Sequence, residues 1–319
     1  MSSQVRVSVL IPTFNQSAIV GRAIESALAQ DVTDLEVVVC DDASTDGTEE
    51  AVRPLLRDPR LRYVRNETNL GRVANYRKLL YELARGDWVL MLDGDDYLVN
   101  PHYLSKATAL AHTHHDIVLV FGKAISCRPG AKQIILNDRY PLPAVMDGNW
   151  FFLRYPPIGS AMYPLHLTCL YKRARAIQIG FYQKNILTAD GESFFRLMLD
   201  RKIAFLSEIA SAWTRDENTA SANPSTDETI AALECIEGPY QMALELAIAP
   251  RREMYAWYRR GLARFWLAAL RRFFVGDRPL SHAVNVSKTL AKRDPLFFLA
   301  APASLCEAMI DRAPRRAAR

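Results

Sequence analysis

The segment GDWVLMLDGDD, residues 86–96, joins five consecutive apolar residues to a cluster of carboxylates. A short apolar run bounded by turn residues is typical of a strand buried on both faces, as the strands of a parallel sheet are. In open α/β sheets, ligands bind beyond the carboxyl ends of the strands. The segment therefore predicts a central parallel strand that presents Asp93, Asp95 and Asp96 to a ligand.

The chain on either side of this segment alternates strand and helix patterns. Apolar, β-branched runs predict strands, and apolar residues at helical spacing predict the helices between them. This alternation predicts an α/β fold with a doubly wound, mostly parallel sheet flanked by helices. The predicted strands cover residues 5–12, 36–40, 62–65, 88–92 and 116–121, and the predicted helices cover 18–30, 48–57, 75–84 and 101–112.

Polar residues follow three of the predicted strands at the point where each strand ends. Residues 13–15 follow the first strand, Asp41 and Asp42 follow the second, and the DGDD cluster follows the fourth. Closely spaced carboxylates repel one another, and a divalent cation such as Mg²⁺ or Mn²⁺ relieves that repulsion. The alternative to a ligand site is purely structural: Asp- and Gly-rich turns and the start of a helix. A helix start accounts for residues 44–50, but it does not require acids at Asp41 and Asp42.

The composition is that of an ordinary globular protein. Of the 319 residues, 50% are hydrophobic and 24% are charged, which excludes a disordered chain, a collagen-like chain and a disulfide-stapled miniprotein. The five Cys are scattered without a CxxC pair, so we expect free thiols in a reducing compartment. No signal peptide is recognisable, and the most apolar segment, residues 296–309, is too short to span a bilayer. These features predict a cytoplasmic protein, either soluble or peripheral at the inner face of a membrane.

The basic residues are concentrated near the C-terminus. Residues 251–319 carry 15 Lys and Arg against 5 Asp and Glu, whereas the remaining residues carry 25 basic and 30 acidic side chains. Residues 252–275 show helical spacing, and two interpretations of this helix stay open: a helix docked on the body of the protein or on a second subunit, or a peripheral contact with an anionic membrane. The apolar face comprises Met254, Tyr258, Leu262, Phe265, Ala269 and Phe273, and the opposite face comprises Arg260, Arg264 and Arg271.

Four segments occur in an order and at a spacing that resemble the nucleotide-binding half of glycosyltransferase family 2. They are VSVLIPTFNQ (7–16), VVVCDDASTDGT (37–48), NLGRVANYRKLL (69–80) and GDWVLMLDGDD (86–96). The resemblance is strong up to about residue 120 and weakens through residues 126–220. It implies a GT-A domain over residues 1–222, with a nucleotide-sugar-binding half at 1–125, an acceptor-side half at 126–222, and a basic helical extension at 223–319.

The resemblance also implies a donor site. Asp93 and Asp95 match the DxD pattern of the family, with Asp93 near the ribose or the waters of a metal and Asp95 on a Mn²⁺ or Mg²⁺ ion. Asp96 is then an additional ligand or the cap of the next helix, and Asp42 reads the nucleotide base. The residues implied in binding the nucleotide sugar are Pro12, Thr13, Asn15, Asp42, Gly71, Arg72, Asp93 and Arg215.

A catalytic carboxylate is expected at a helix start some ninety residues after the DxD motif. The matching stretch contains Ala189, Asp190 and Glu192. Ala189 replaces the first acid of the family's usual pair, so the match rests on Asp190, with Glu192 as the alternative. A plain helix N-terminus would use the same residues. His166 precedes a predicted strand, and its relation to the acceptor is left open.

The expected activity is transfer of a sugar, with inversion, from a nucleotide-diphosphate sugar to an acceptor hydroxyl. UDP is the favoured nucleotide, and the expected acceptor is a glycan or lipid-linked glycan of a bacterial surface polysaccharide; no nucleic-acid partner is expected. There is no GxGxxG after the first strand, no GxxxxGK[ST] and no GxSxG, which argues against dehydrogenases, P-loop NTPases and serine hydrolases. A nucleotidyltransferase and a non-catalytic relative that only binds a nucleotide or glycan stay open as alternatives.

Overall fold

A computed structural model describes residues 7–155, 157, 162–215, 224–274 and 278–298. Its centre is a ten-stranded sheet. Long, buried strands and short strands of two to five residues both contribute to it. The strands are β1 (Val7–Thr13), β2 (Leu35–Asp41), β3 (Leu61–Arg65), β4 (Trp88–Met91), β5 (Tyr97–Leu98), β6 (Ile117–Cys127), β7 (Ile134–Leu136), β8 (Val145–Asp147), β9 (Leu170–Lys172) and β10 (Lys202–Thr214).

The main path of the sheet runs β3-β2-β1-β4-β9-β6-β10-β5. The strands β3, β2, β1 and β4 are parallel, as are β6 and β10, whereas β9 is antiparallel to both of its neighbours. The remaining strands are antiparallel additions, with β5 and β8 on β10 and β7 on β6. The predicted α/β fold with a mostly parallel sheet is confirmed.

Helices cover both faces of the sheet. They are α1 (Val20–Leu28), α2 (Thr48–Val52), α3 (Arg72–Lys78), α4 (Tyr103–Ala111), α5 (Gly148–Arg154), α6 (Arg173–Gln178), α7 (Ala189–Leu197), α8 (Thr226–Ala231), α9 (Glu234–Glu245), α10 (Arg251–Phe274) and α11 (Leu280–Arg293). The region 126–160, which the sequence predicts to be irregular, contains β7, β8 and α5.

Two hydrophobic clusters lie on opposite faces of the sheet. Along β1, Val9 and Ile11 point into the cluster beneath α1 and α4, whereas Leu10 points into the cluster beneath α3 and α7. This alternation follows from the two-residue period of a strand, and it explains why the strand is apolar on both faces apart from the buried Ser8. The sheet is therefore held from both sides, and its carboxyl edge is left for polar loops.

The C-terminal helices share one of these two clusters with the α/β layer. Trp257 of α10 stacks on Phe152 of α5 with ring centroids 4.3 Å apart, and its indole N–H donates to the Phe152 carbonyl at 2.9 Å. The predicted helix over 252–275 corresponds to α10, but the placement of Arg264 on a solvated face is wrong, because this residue is only 8% exposed. Both α9 and α11 pack on α10. More of the α10 surface is therefore buried than if it packed against a single neighbouring element.

Helices long and apolar enough to cross a membrane are absent from the part of the chain that the structure describes.

Candidate active site

The DxD loop is fixed against the end of β1. The Leu92 N–H donates to the Leu10 carbonyl at 2.9 Å, and the Gly94 N–H donates to the Pro12 carbonyl at 3.2 Å. A Cβ at Gly94 would overlap the Gln16 side-chain oxygen and lie 3.2 Å from the Pro12 carbonyl. Glycine at this position therefore lets the loop turn close to β1, and the turn places the two acidic residues of the motif at the carboxyl edge of the sheet.

Aromatic side chains and an arginine surround the carboxylate of Asp93. The Tyr76 hydroxyl donates to Asp93 Oδ1 at 2.6 Å, and His166 Nδ1 lies 3.8 Å from Asp93 Oδ2. Burial alone would raise the pKa of Asp93, but His166, Tyr76 and Arg72 outweigh it and lower the pKa. Asp93 is therefore held in its ionised form, which is the form that binds a cation or a ribose hydroxyl.

Removing the Tyr76 hydroxyl should weaken donor binding at acidic pH. The Tyr76→Phe substitution deletes one of the contacts that lower the pKa of Asp93, so Asp93 should take up a proton at a higher pH. Titration calorimetry of UDP-sugar binding across acidic pH should show the loss of affinity at a higher pH than in the unaltered protein. Tyr81→Phe is the matched control, because its hydroxyl donates instead to the Phe181 carbonyl at 3.0 Å. Equal pH profiles for the two variants would contradict the prediction.

Asp95 and Asp96 differ in their surroundings. The Asp95 carbonyl accepts from Arg22 Nη2 at 3.0 Å, and the same nitrogen donates to Thr214 Oγ1 at 3.1 Å. Asp96 is buried and accepts from the Thr214 N–H at 2.8 Å. Burial, followed by the charges of Asp95 and Asp93, raises the pKa of Asp96 well above its ordinary value. Asp96 thus ties the loop to the end of β10; it does not cap α4, whose N-cap is His102.

The three acids of the loop, Asp93, Asp95 and Asp96, do not by themselves form a complete metal site. Their mutual repulsion is visible in the raised pKa of Asp96, and carboxylate oxygens are the ligands that Mg²⁺ and Mn²⁺ prefer. Within the described ranges, no cluster of three or more His, Cys, Asp or Glu side chains is arranged to hold a metal ion. Asp93 and Asp95 therefore offer a partial site that the oxygens of a bound diphosphate would complete.

Asp42 organises the loop that leads into α3. Its carboxylate accepts hydrogen bonds from Asn66 Nδ2 at 2.7 Å, from the Leu70 N–H at 2.8 Å and from the Gly71 N–H at 2.9 Å. Gly71 has φ of +86°, a conformation that glycine adopts without strain. Each carboxylate oxygen has two lone pairs, so Asp42 keeps acceptor capacity for a nucleotide base while it holds Gly71 at the start of α3.

The other residues predicted to bind the nucleotide sugar near the end of β1 lie beside Asp42. The Thr13 carbonyl accepts from the Asp42 N–H at 2.9 Å, and Pro12 precedes it at the end of β1. The Asn15 side chain accepts from the Thr45 N–H at 2.8 Å, which joins the loops after β1 and β2. The structure therefore brings Pro12, Thr13, Asn15 and Asp42 together at the carboxyl edge of the sheet.

Arg72 connects the DxD motif to the start of α7. Its Nη2 donates to the Leu187 carbonyl at 2.9 Å. Desolvation lowers the pKa of Arg72, but Tyr76 and the charges of Asp93 and Asp190 outweigh it, and the net effect raises the pKa. The charges of both carboxylates thus act on the same guanidinium, which also contacts the chain that leads into α7.

Asp190 and Glu192, both in the first turn of α7, occupy different environments. In the part of the chain that the structure covers, no residue donates a hydrogen bond to the Asp190 carboxylate, which is half-buried. Glu192 is 1% exposed, and its oxygens accept from Arg196 Nε at 2.6 Å and Nη2 at 2.9 Å. Ala189 is buried. The geometry therefore favours Asp190 over Glu192 as the carboxylate that could accept a proton from a substrate.

Removing one partner of the buried Glu192–Arg196 pair should be strongly destabilising. Arg196→Met leaves the Glu192 charge buried and uncompensated, and we expect the free energy of unfolding to fall by about 3–5 kcal/mol. Arg53→Met is a matched control, because Arg53 and Glu49 form a pair with the same sequence spacing at 3.4 Å on the surface. That substitution should cost less than ~0.5 kcal/mol. Urea unfolding measures both values, and equal losses would contradict the buried pairing.

Arg215 lies just beyond β10, next to Thr214. The Arg215 guanidinium lies over the Trp213 ring at 4.3 Å, and the backbone N–H of Arg215 donates to the Cys127 carbonyl at 2.9 Å. Desolvation, followed by the charge of Arg128, lowers the pKa of Arg215. The expected contact of Arg215 with a diphosphate stays a prediction, and the adjoining residues 216–218 lie outside the described residues.

The family model for glycosyl transferase family 2 matches residues 8–175. The chain belongs to glycosyltransferase family 2. It is 31% identical over 154 residues to the Staphylococcus aureus poly(ribitol-phosphate) β-N-acetylglucosaminyltransferase TarS, a match that covers 47% of this chain and 26% of TarS. It is 40% identical over 204 residues to a Pasteurella multocida hyaluronan synthase, which covers 64% of this chain and 20% of the synthase. The aligned regions thus span about a quarter or less of these relatives.

Solved structures of the family support the fold over nearly the whole chain. The structure of TarS residues 1–349 in complex with UDP-GlcNAc matches with a TM-score of 0.70 and 22% identity, over 96% of this chain and 91% of that one. A mannosyltransferase from Pyrobaculum calidifontis, in complex with GDP-Man and Mn²⁺, matches with a TM-score of 0.55 and 18% identity, over 97% and 87%. The expected GT-A fold of this family 2 protein is confirmed.

Sequence reasoning missed several residues that shape the site. Tyr76 lies four residues after Arg72, and this helical spacing places both on one face of α3, so the sequence did contain a signal for it. Asn66, which holds Asp42, and Arg22, which holds the DxD loop, meet their partners only through the fold. For His166, left open in the sequence, the structure shows a position beside Asp93.

Proposed function

We propose that this family 2 glycosyltransferase moves a sugar from a nucleotide-diphosphate sugar to an acceptor hydroxyl, with inversion at the anomeric carbon. The observation that carries the proposal is the position of Arg72, which is bound to the start of α7 and is influenced by the charges of both Asp93 and Asp190. A donor phosphate beside Asp93 and a proton acceptor at Asp190 would then face one reaction centre.

Asp190 is the proposed general base. Its carboxylate would accept the proton of the acceptor hydroxyl while the hydroxyl oxygen attacks the anomeric carbon opposite the leaving diphosphate. An ordinary carboxylate suffices, because the hydroxyl loses its proton only as the new bond forms. No covalent enzyme intermediate is required, and Glu192, which is bound to Arg196, takes no part.

The donor is proposed to lie along the carboxyl ends of β1, β2 and β4. Pro12, Thr13, Asn15 and Asp42 would bind the base and ribose, Gly71 and Arg72 would border the nucleotide, and Arg215 would approach the diphosphate. Asp95, with Asp93, would hold Mn²⁺ or Mg²⁺. When bound, this ion neutralises the negative charge that develops on the leaving diphosphate.

The proposed acceptor is a glycan or lipid-linked glycan of a bacterial surface polysaccharide. The names of the relatives support this class, because they include a poly(ribitol-phosphate) glycosyltransferase, a hyaluronan synthase and chondroitin synthases. UDP is the favoured nucleotide, in line with the UDP-GlcNAc complex of TarS. The GDP-Man complex of the mannosyltransferase keeps GDP as a second nucleotide to test.

The products identify the reaction class. The purified chain would be incubated with Mn²⁺ and a panel of UDP- and GDP-sugars, with a panel of glycan acceptors, and the phosphorus products would be resolved by chromatography. Release of a nucleoside diphosphate with extension of an acceptor is the expected result. Release of pyrophosphate would instead identify a nucleotidyltransferase. Selective donor binding without any product from the whole panel would support a non-catalytic nucleotide-binding relative.

A further inference from the structure

The end of α10 and the whole of α11 form a strongly basic surface. Across residues 254–293 Asp277 is the only Asp or Glu, whereas Arg and Lys recur throughout. The Arg278 N–H donates to the Arg272 carbonyl at 3.2 Å, which brings the end of α10 next to the start of α11. Trp266 Nε1 donates to Ser287 Oγ at 2.9 Å, which fixes the two helices against each other.

Apolar side chains are exposed at the same end of this helix pair. Phe274 is 77% exposed, Leu280 is 58% exposed and Val284 is 39% exposed. Leu280, Val284 and Lys288 follow one another at four-residue spacing on α11, so they share one side of the helix. The other side, with His282, Ala283, Val286 and Leu290, is buried against the protein. We call Arg271, Phe274, Leu280, Val284 and Lys288 the α10–α11 corner.

We propose that the α10–α11 corner binds the surface of an anionic phospholipid bilayer. Exposed aromatic and aliphatic side chains flanked by cations are the composition of interfacial membrane anchors, which combine apolar insertion with attraction to acidic headgroups. Each Lys or Arg near such a surface strengthens binding through attraction to the acidic headgroups, and the attraction weakens as salt is added. The proposal requires no helix that crosses the membrane, and it holds whether or not the proposed sugar transfer is correct.

The charges of the neighbouring elements leave the corner positive. Asp294 at the end of α11 is buried and bound by Arg259 at 2.8 Å, and Glu237 of α9 lies 3.4 Å from Arg293. Glu228 of α8 is exposed to the charge of Arg278, but its carboxylate is engaged in the capping box of α8. Each of these acids keeps its negative charge, but they offset Arg259, Arg293 and Arg278, and none of them is paired with Arg271 or Lys288.

The same features argue against a second copy of the chain as the occupant. A two-fold contact places one patch against the same patch of the second copy, so a homodimer through the corner would bring the cations Arg271 and Lys288 close to the cations of the other copy. Like charges brought together out of water repel strongly. A nucleic acid would satisfy the cations but would leave Leu280 and Val284, which have no ring to stack on a base, without favourable contacts.

Vesicle flotation tests the proposal with the full chain. Vesicles of phosphatidylcholine alone are compared with vesicles that also contain phosphatidylglycerol. The protein should float with the anionic vesicles and stay at the bottom with the neutral ones. Arg271→Glu combined with Lys288→Glu should lower the bound fraction at least ~10-fold. Phe274→Ser combined with Leu280→Ser should lower it by a similar factor, because it removes the apolar contribution.

Matched controls come from exposed residues elsewhere. Ile134 is 61% exposed on β7 and Arg57 is exposed after α2, so Ile134→Ser and Arg57→Glu should leave flotation unchanged. Absence of flotation on anionic vesicles would overturn the proposal. A dimer that is seen by light scattering and is abolished by the corner variants would also overturn it. The same holds if duplex DNA binds the chain and this binding is unchanged by Phe274→Ser combined with Leu280→Ser. Because no donor sugar is present, a failure here is distinct from a failure of the proposed activity.

Discussion

Asp190→Asn is expected to reduce turnover by ~10²–10⁴-fold, the usual contribution of a general base. The substitution keeps the size and shape of the side chain but removes the basic oxygen that would take the acceptor proton. Donor affinity should stay close to that of the unaltered protein, because the Arg72 contact with the Leu187 carbonyl is a main-chain contact and survives the change. The expected signature is thus a loss in kcat without a comparable loss in donor binding.

Product release at saturating donor and acceptor, together with calorimetry of donor binding, measures both quantities. Asp227→Asn is a matched control, because Asp227 also lies in the first turn of a helix, α8, and is exposed to solvent. It reports any general effect of removing an acid from a helix N-terminus. Normal turnover in Asp190→Asn would show that another group accepts the proton. A parallel loss in Asp227→Asn would show that the effect is not specific to the site.

The parallel part of the fold could be predicted because its strands carry their own signal. Strands β1, β2 and β4 are mostly apolar on both faces, and polar residues come at or just after the end of each. The antiparallel strands β5 and β9 could not be found in this way, since they are two and three residues long and their pairing is set by distant segments. Short strands carry too few residues for a period to be recognised.

The sequence could predict those residues of the candidate site that directly follow a strand, because the carboxyl ends of parallel strands meet at one edge of the sheet. Asp42 and the DxD motif are of this kind. The choice of Asp190 over Glu192 rested on the family resemblance, because both acids are equally compatible with the first turn of a helix, and the role of Asp190 stays a prediction. The four-residue spacing of Glu192 and Arg196 allows an ion pair on one face of a helix, but only the packing of α9 on α7 explains why this pair is buried. The position of His166 beside Asp93 likewise depends on contacts across the sheet.

Asp95→Ala is expected to abolish the metal-dependent part of donor binding. Asp95 is the proposed carboxylate ligand of Mn²⁺ or Mg²⁺, and Asp93 alone, braced by Tyr76, offers too few oxygens to hold the ion with a diphosphate. Loss of an outer-shell partner costs ~10–100-fold in metal affinity, and loss of a direct ligand should exceed that. The Arg22 contact to the Asp95 carbonyl involves the main chain, so the loop should keep its position.

Calorimetry of UDP-sugar binding with Mn²⁺ and with a chelator separates this role from a structural one. The chelator should weaken binding to the unaltered protein at least as much as the substitution does, and it should have no further effect on Asp95→Ala. Because the metal and the Asp95 carboxylate would act as one unit, the losses of donor affinity caused by the chelator and by the substitution should not add. Donor binding by Asp95→Ala in Mn²⁺ that equals that of the unaltered protein would show that the acidic loop holds no catalytic cation through Asp95. If the chelator and the substitution each lowered donor affinity and the two losses added, the ion would be bound by residues other than Asp95.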